Sequence, residues 1–302
     1  MDKDTVTPDL VLIGAITADI GINGTRRPGG TVFYSAVTAA RLGLNVGIVT
    51  RPREDISFSS FLDGVQTAWV LPPSTLSFRN IYQSGQRVQY IQDRERGVQP
   101  LEPNDIPREW TKAAMVHLAP VANEIDPSLA ALFTGSTVLA TPQGWLRTWD
   151  TVGRILFMPR KWGPEELQNI TTLVLSEEDI DGNQDQLYRF TQSVPLVVLT
   201  MGSKGCKLYF QSSWHDLPAF PATVIDATGA GDSFATAFLI YHYFNHNPIK
   251  AAIFANCIAS FTVEGDGAST IPTLYDVERR LADNGFKDIT LKIAASARPE
   301  LA

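Results

Sequence analysis

Cysteine is nearly absent, with two residues in a chain of 302. Cys206 and Cys257 stand far apart in apolar surroundings. They form neither a C-x-x-C pair nor a zinc spacing, so they read as two buried thiols, and a disulfide scaffold is excluded. Positive charge is also scarce. Lys and Arg number 25 against 32 Asp and Glu, a net charge of −7, which argues against non-specific binding to nucleic acid or to an anionic membrane. Long hydrophobic runs are missing too. The longest is broken by Asn245, His246, Asn247 and Pro248, so no transmembrane helix is expected. Residues 1–8 are polar and lack the apolar core of a signal peptide; the expectation is a cytoplasmic protein whose sequons at Asn23 and Asn169 stay unused. Of the four histidines, His215, His242 and His246 lack metal-ligand spacing, and His117 sits in an apolar run as a core residue. A Gly-x-Ser-x-Gly elbow and a Walker A lysine loop are both absent, which counts against an α/β-hydrolase and a P-loop enzyme.

What is present is ample core material: 44% hydrophobic and 19% charged residues. Continuous apolar runs at 10–16, 46–49, 115–120, 137–141, 173–175 and 196–200 have the pattern of strands buried on both faces. Helical segments alternate with them: 31–41, 125–133, 229–244, 249–263 and 274–283. This order predicts a mostly parallel sheet with helices on its faces. Shorter strands are expected at 68–71, 154–158, 206–210 and 214–217, and a short helix at 58–62. Residues 75–92 differ, since apolar and polar side chains alternate as in a hairpin with one wet face. It could project from the main sheet as a small lid, while the segment 21–30 is short and rich in turn formers. The tail beyond Ile293 is small and polar and is expected to be disordered. No linker or repeat divides the chain, so one α/β domain spanning 1–302 is expected, with the hairpin inserted.

The stretch that carries chemistry is Asp226-Ala227-Thr228-Gly229-Ala230-Gly231-Asp232. The apolar pair Val224-Ile225 precedes it as a β-type segment, and a buried helix follows. Backbone N–H groups of Gly229, Ala230 and Gly231 at a helix start form an anion hole suited to phosphate. Asp232 in the first turn is placed to take a proton from an attacking hydroxyl. Asp19 follows the first buried strand, at the end where open α/β sheets place ligands, and can accept hydroxyl hydrogen bonds. Arg147 either offers its fork of donors to a phosphate or is a surface arginine on a loop that Trp145 anchors. Asn256, on an apolar helix face, either contacts a ligand or makes a structural hydrogen bond.

These segments resemble the ribokinase-like (PfkB) carbohydrate kinases. The string 226–234 is similar to that family's signature, and the likeness spans about residues 9–275. It implies a three-layer α/β fold with helices on both faces of a mostly parallel sheet and a small β lid, reduced here to the 75–92 hairpin. It implies an ATP-dependent kinase, with Mg²⁺, acting on a small sugar, polyol or nucleoside, either monomer or homodimer. Asp19, Gly29 and Gly30 stand where the family binds its acceptor. Tyr34 stands where an asparagine is usual, a departure that points to inositol or another polyol, or to a nucleoside base stacked on Tyr34 or Phe33. Thr200, Gly202 and Gly205 resemble the nucleotide-side turn, and residues 251–268 the cover of the adenine. Asp179 is the acidic end of the magnesium-associated motif, in which Ser176 replaces an amide. Asp226, with backbone carbonyls near Gly267, implies a K⁺ loop. A lapsed, ligand-binding relative is the alternative outside enzymes.

Overall fold

The computed structural model describes residues 6–21, 23–51, 60–73, 76–83, 86–92 and 98–293. The chain runs β1 (Leu10–Ile13), β2 (Thr17–Ile20), β3 (Arg26–Gly29), α1 (Thr31–Arg41), β4 (Val46–Thr50), β5 (Gln66–Trp69), β6 (Ser77–Gln83) and β7 (Gln86–Gln92). There follow β8 (Met115–Leu118), β9 (Thr137–Ala140), β10 (Arg147–Trp149), β11 (Ile155–Phe157), α2 (Pro164–Leu167), β12 (Thr172–Ser176) and α3 (Gln184–Ser193). The last third holds β13 (Leu196–Thr200), β14 (Cys206–Phe210), β15 (Ser213–Leu217), α4 (Ala230–Asn245), α5 (Pro248–Thr262) and α6 (Leu274–Asp283).

A nine-stranded sheet has the order β15-β14-β13-β12-β9-β8-β1-β4-β5. The pairs from β13 to β5 are parallel, and β14 and β15 add an antiparallel edge. Strand β1 shows why the apolar runs become central strands. Leu10 and Leu12 enter one core while Val11 and Ile13 enter the other, so every side chain of the strand is buried. The first core joins the sheet to α1, α4, α5 and α6. The second joins it to α3 and to residues such as Trp110, Trp145 and Phe133. Helices thus cover both faces. Helix α4 is buried without interruption from Ser233 to Tyr241, as expected of a helix that is apolar all round. No helix among the described residues is long and apolar enough to cross a membrane.

The lid is larger than its sequence suggests. β2 and β3 pair antiparallel, β6 and β7 pair antiparallel, and β2 joins β6 in parallel to give a four-stranded sheet, β3-β2-β6-β7. The segment 21–30, read as a bare turn region, therefore supplies one of the lid's four strands, β3. Ala15, Leu76, Phe78, Ile91, Val121 and Ala122 form a small core under it. Three more expectations are corrected. Residues 127–132 form a 3₁₀ turn, not an α-helix, started by Pro127 and capped by Asp126. Val224 and Ile225 join no strand. They are 62% and 68% exposed and are held by N–H donation from Ile225 and Asp226 to the Val263 carbonyl. The strand expected at 68–71 is Gln66–Trp69. Of the expected helix at 58–62, residues 58 and 59 lie outside the described residues and 60–62 are turn and bend. The tail after Ile293 also lies outside them.

Candidate active site

The sheet reverses direction of winding between β8 and β1, which places a crevice beyond the carboxyl ends of these strands. The backbone after β1 is fixed by a residue the sequence does not advertise. Glu124 is buried, and its carboxylate accepts N–H groups from Ala15, Val121 and Ala122 at 2.8–3.1 Å. Burial raises its pKa against the pull of those donors. Helix α1 starts directly against this strand end. Its N-cap, Gly30, has φ 87° and ψ 153°, and a Cβ there would lie 2.6 Å from the Ala15 carbonyl oxygen.

Helix α4 presents the signature stretch. Gly229 is its N-cap at φ 79°. Asp226 Oδ1 accepts the Thr228 N–H at 2.9 Å and shapes the turn. One expectation is corrected here: the Ala230 N–H donates to the Ala227 carbonyl at 3.3 Å, so the turn itself engages one of the three donors foreseen for an anion. Gly231 is exposed at the helix start, and Asp232 in the first turn is half-buried.

Tyr34 joins the two helices. Its ring packs on Gly229 so closely that a Cβ at Gly229 would lie 2.1 Å from Cδ1. Its hydroxyl oxygen lies 3.9 Å from where a Cβ of Gly267 would be. Burial pushes its pKa well above the ordinary value, and the charges of Asp19, Asp226 and Asp232 add to this while Arg27 opposes them. Tyr34 therefore sits neutral among three carboxylates. Below this contact His117, fully buried on β8, holds the same helices together. Its Nδ1 lies 3.4 Å from both Ser35 Oγ on α1 and Thr236 Oγ1 on α4, and Nε2 lies 3.2 Å from Thr141 Oγ1. Burial lowers its pKa to about 3, as expected of a core histidine.

The lid brings further charge. Asp19 and Arg27 face each other across β2 and β3, and the Asp19 carboxylate covers Gly29, whose Cβ would lie 2.5 Å from Oδ2. Arg27, absent from the residues singled out in the sequence, donates to Asp266 Oδ1 and lies 4.0 Å from Asp226 Oδ2. The only signal in the sequence was an arginine preceding Gly29-Gly30. Arg147 is buried at the base of the lid, with Nη1 donating to the Val121 carbonyl at 3.1 Å and its guanidinium 5.7 Å over the Phe78 ring. Its alternative as a surface arginine is thereby corrected.

The other cluster lies at the carboxyl ends of β12 and β13. Thr200 pairs with Ser176, and the Gly202–Lys204 turn is closed by N–H donation from Met201 to the Gly205 carbonyl. Asn256 turns its amide nitrogen toward the Leu217 and Pro218 carbonyls, at 3.4 and 3.1 Å. Asp179 accepts from Ser176 N and Oγ, both at 2.8 Å, and from Gln143 Nε2 at 2.9 Å. Its carboxylate is committed to protein donors, and no group of three or more His, Cys, Asp or Glu among the described residues could hold a metal ion. A protein cage for Mg²⁺ does not fit these residues; a Mg²⁺ in such a site comes with the phosphates of the donor. A K⁺ at Asp226 does not fit beside Arg27 either, since the guanidinium lies 4.0 Å from Oδ2. The Gly267 N–H points at Asp226 Oδ2 at 3.4 Å, and the nearby carbonyls of Thr262, Val263, Asp266 and Ala268 accept donors from within the fold.

Comparison with known proteins agrees with this geometry. Residues 165–274 match the family described as pfkB family carbohydrate kinase. The chain is 31% identical over 252 residues to a cytidine kinase of Thermococcus kodakarensis, covering 76% of this chain and 87% of that protein. It is 26% identical over 318 residues to a 5-dehydro-2-deoxygluconokinase of Geobacillus kaustophilus, covering 90% and 92%. A solved structure of a pyrophosphate-dependent kinase in the ribokinase family, complexed with a pyrophosphate analogue and myo-inositol, superposes with a TM-score of 0.72 at 21% identity, covering 90% of this chain and 99% of that one. The fold is the ribokinase fold.

Proposed function

Because the chain belongs to the PfkB family of carbohydrate kinases, we propose that it transfers the γ-phosphoryl group of ATP to a hydroxyl of a small sugar or polyol. The observation that carries this reading is the start of α4, where the Tyr34 ring packs on the N-cap Gly229, Asp226 shapes the turn and Asp232 stands in the first turn. An acceptor hydroxyl held by Asp19 and the Gly29-Gly30 turn faces Asp232 across that ring. Asp232 takes the hydroxyl proton as the new O–P bond forms, and the electron pair of the broken bond leaves on ADP. The positive end of α4, with the N–H groups at Gly229 and Gly231, stabilises charge on the phosphoryl group in transit. Positioning and electrostatics carry most of such a reaction. Thr200, Gly202 and Gly205 hold the nucleotide side in this reading, and Arg147 supports the acceptor side through Phe78 and Val121.

A nucleoside acceptor is the second reading, favoured by the similarity to a cytidine kinase. Stacking on Tyr34 or Phe33 does not support it, since both rings are buried. The test is ADP release from ATP and Mg²⁺ across sugars, inositols and nucleosides, with phosphate release from pyrophosphate read in parallel as a second donor. Acceptor-dependent release that falls by about 10²–10⁴-fold in Asp232→Asn, with nucleotide binding retained, is the expected result. Unchanged turnover in that variant removes Asp232 from its role, and ligand binding without turnover would support a lapsed enzyme.

A further inference from the structure

We infer that Arg27 of the lid supplies, from within the chain, the positive charge that a bound monovalent cation would otherwise bring to the loop beside the signature helix. Three observations carry this. Arg27 reaches from β3 to both carboxylates of that region, hydrogen-bonding Asp266 and lying 4.0 Å from Asp226. Asp226 is mostly enclosed, with a side-chain exposure of 17%, so its charge needs a partner more than a surface carboxylate does. With the guanidinium in place a cation at Asp226 would meet a like charge, and the nearby oxygens are turned to donors of the fold, so an ion can enter only once Arg27 is gone. Asp226 faces N–H groups of Thr228 and Gly267, and the carbonyls of Ala227, Thr262, Val263, Asp266 and Ala268 each accept a donor from within the fold.

The electrostatics follow the same pattern. Burial acts to raise the Asp226 pKa, but the hydrogen bonds from Thr228 and Gly267 and the Arg27 charge outweigh it and hold the carboxyl below the ordinary range. The guanidinium is tied to the lid by its own backbone: Arg27 lies opposite Asp19 in the β2–β3 pair. A mobile ion would neutralise Asp226 wherever the lid stood, whereas Arg27 neutralises it only when β3 lies over the loop. Arg27 is thus a positioning residue that couples the acceptor-binding strand to the turn preceding the phosphate cradle.

The test compares the intact chain, Arg27→Gln and Arg27→Lys in KCl and in tetramethylammonium chloride at equal ionic strength. Thermal unfolding comes first, because it needs no substrate and stands or falls apart from the kinase reading. The wild type and Arg27→Lys are expected to melt at the same temperature in both salts. Arg27→Gln is expected to melt roughly 2 °C higher in KCl, the shift mass action gives for an ion at about ten times its Kd. In the ADP-release assay, which does rest on that reading, turnover of Arg27→Gln should rise with K⁺ while the wild type stays flat. A purely structural salt bridge would lower stability equally in both salts. A wild type that responds to K⁺, or an Arg27→Gln variant that does not, overturns the inference.

Discussion

Two helices, α1 and α4, enter the site in the same manner and for different reasons. Each begins on a glycine at positive φ, Gly30 at 87° and Gly229 at 79°. At Gly30 the missing side chain makes room for main chain, the Ala15 carbonyl at 2.6 Å. At Gly229 it makes room for a side chain, the Tyr34 ring of the other helix. The first is a constraint set by the sheet. The second is an agreement between two residues that could have been settled otherwise. The α1 side of the site is therefore rigid by topology, and the α4 side is conditional on Tyr34.

Substitution separates the two. Gly30→Ala places a Cβ against backbone in a region of φ and ψ that is essentially reserved for glycine, and should lower stability by more than about 4 kcal/mol, read by urea unfolding. Changing Thr17, whose Cγ2 is also near, should restore none of this, because the carbonyl remains. Gly229→Ala should cost about 2–4 kcal/mol, from the left-handed backbone and the overlap with the ring. In the Tyr34→Ala background the same change should cost only about 1–2 kcal/mol. Equal costs in the two backgrounds would break the distinction, since contacting residues should couple.

The smallest effect concerns what the helices share. His117 is neutral when folded, with a pKa lowered to about 3 from 6.5. As pH falls below 6.5 the unfolded chain takes up a proton that the folded chain refuses, so stability declines through the window between the two values. From pH 6.5 to 5 the wild type should lose about 2 kcal/mol more than His117→Asn in denaturant titrations. Parallel curves would show that burial between α1 and α4 does not keep the imidazole neutral.

Much of this arrangement was legible in the chain, and the failures have physical causes. Helix α6 lies at the bounds expected from the sequence, and the structure adds a capping box of Thr273 and Asp276 at its start. The central strands were legible because burial on both faces leaves unbroken apolar runs. β3 was missed because Arg26-Arg27-Pro28-Gly29 has no alternation; it is a strand because β2 pairs with it. Val224 and Ile225 have β-type side chains, yet no partner strand runs beside them, and two N–H groups hook onto Val263 instead. Of the site, the string 226–232 was evident because its residues follow one another along the chain. The reach of Arg27 to Asp226 and Asp266 was not, because sequence reports neighbours along a chain and not across a lid. Asp179 likewise reads as a candidate ligand until its partners Ser176 and Gln143 are seen.

The lid also bears on the order in which this molecule can be made. Each of its hairpins is local, but the parallel seam between β2 and β6 joins strands with residues 21–76 between them. That seam closes a long loop, and long closures are slow and late compared with hairpin formation. Helix α1 and strands β4 and β5 lie within the loop and belong to the main layers. The lid therefore has no full existence before the first parallel strands have docked, and the cover of the site is assembled by the floor it covers.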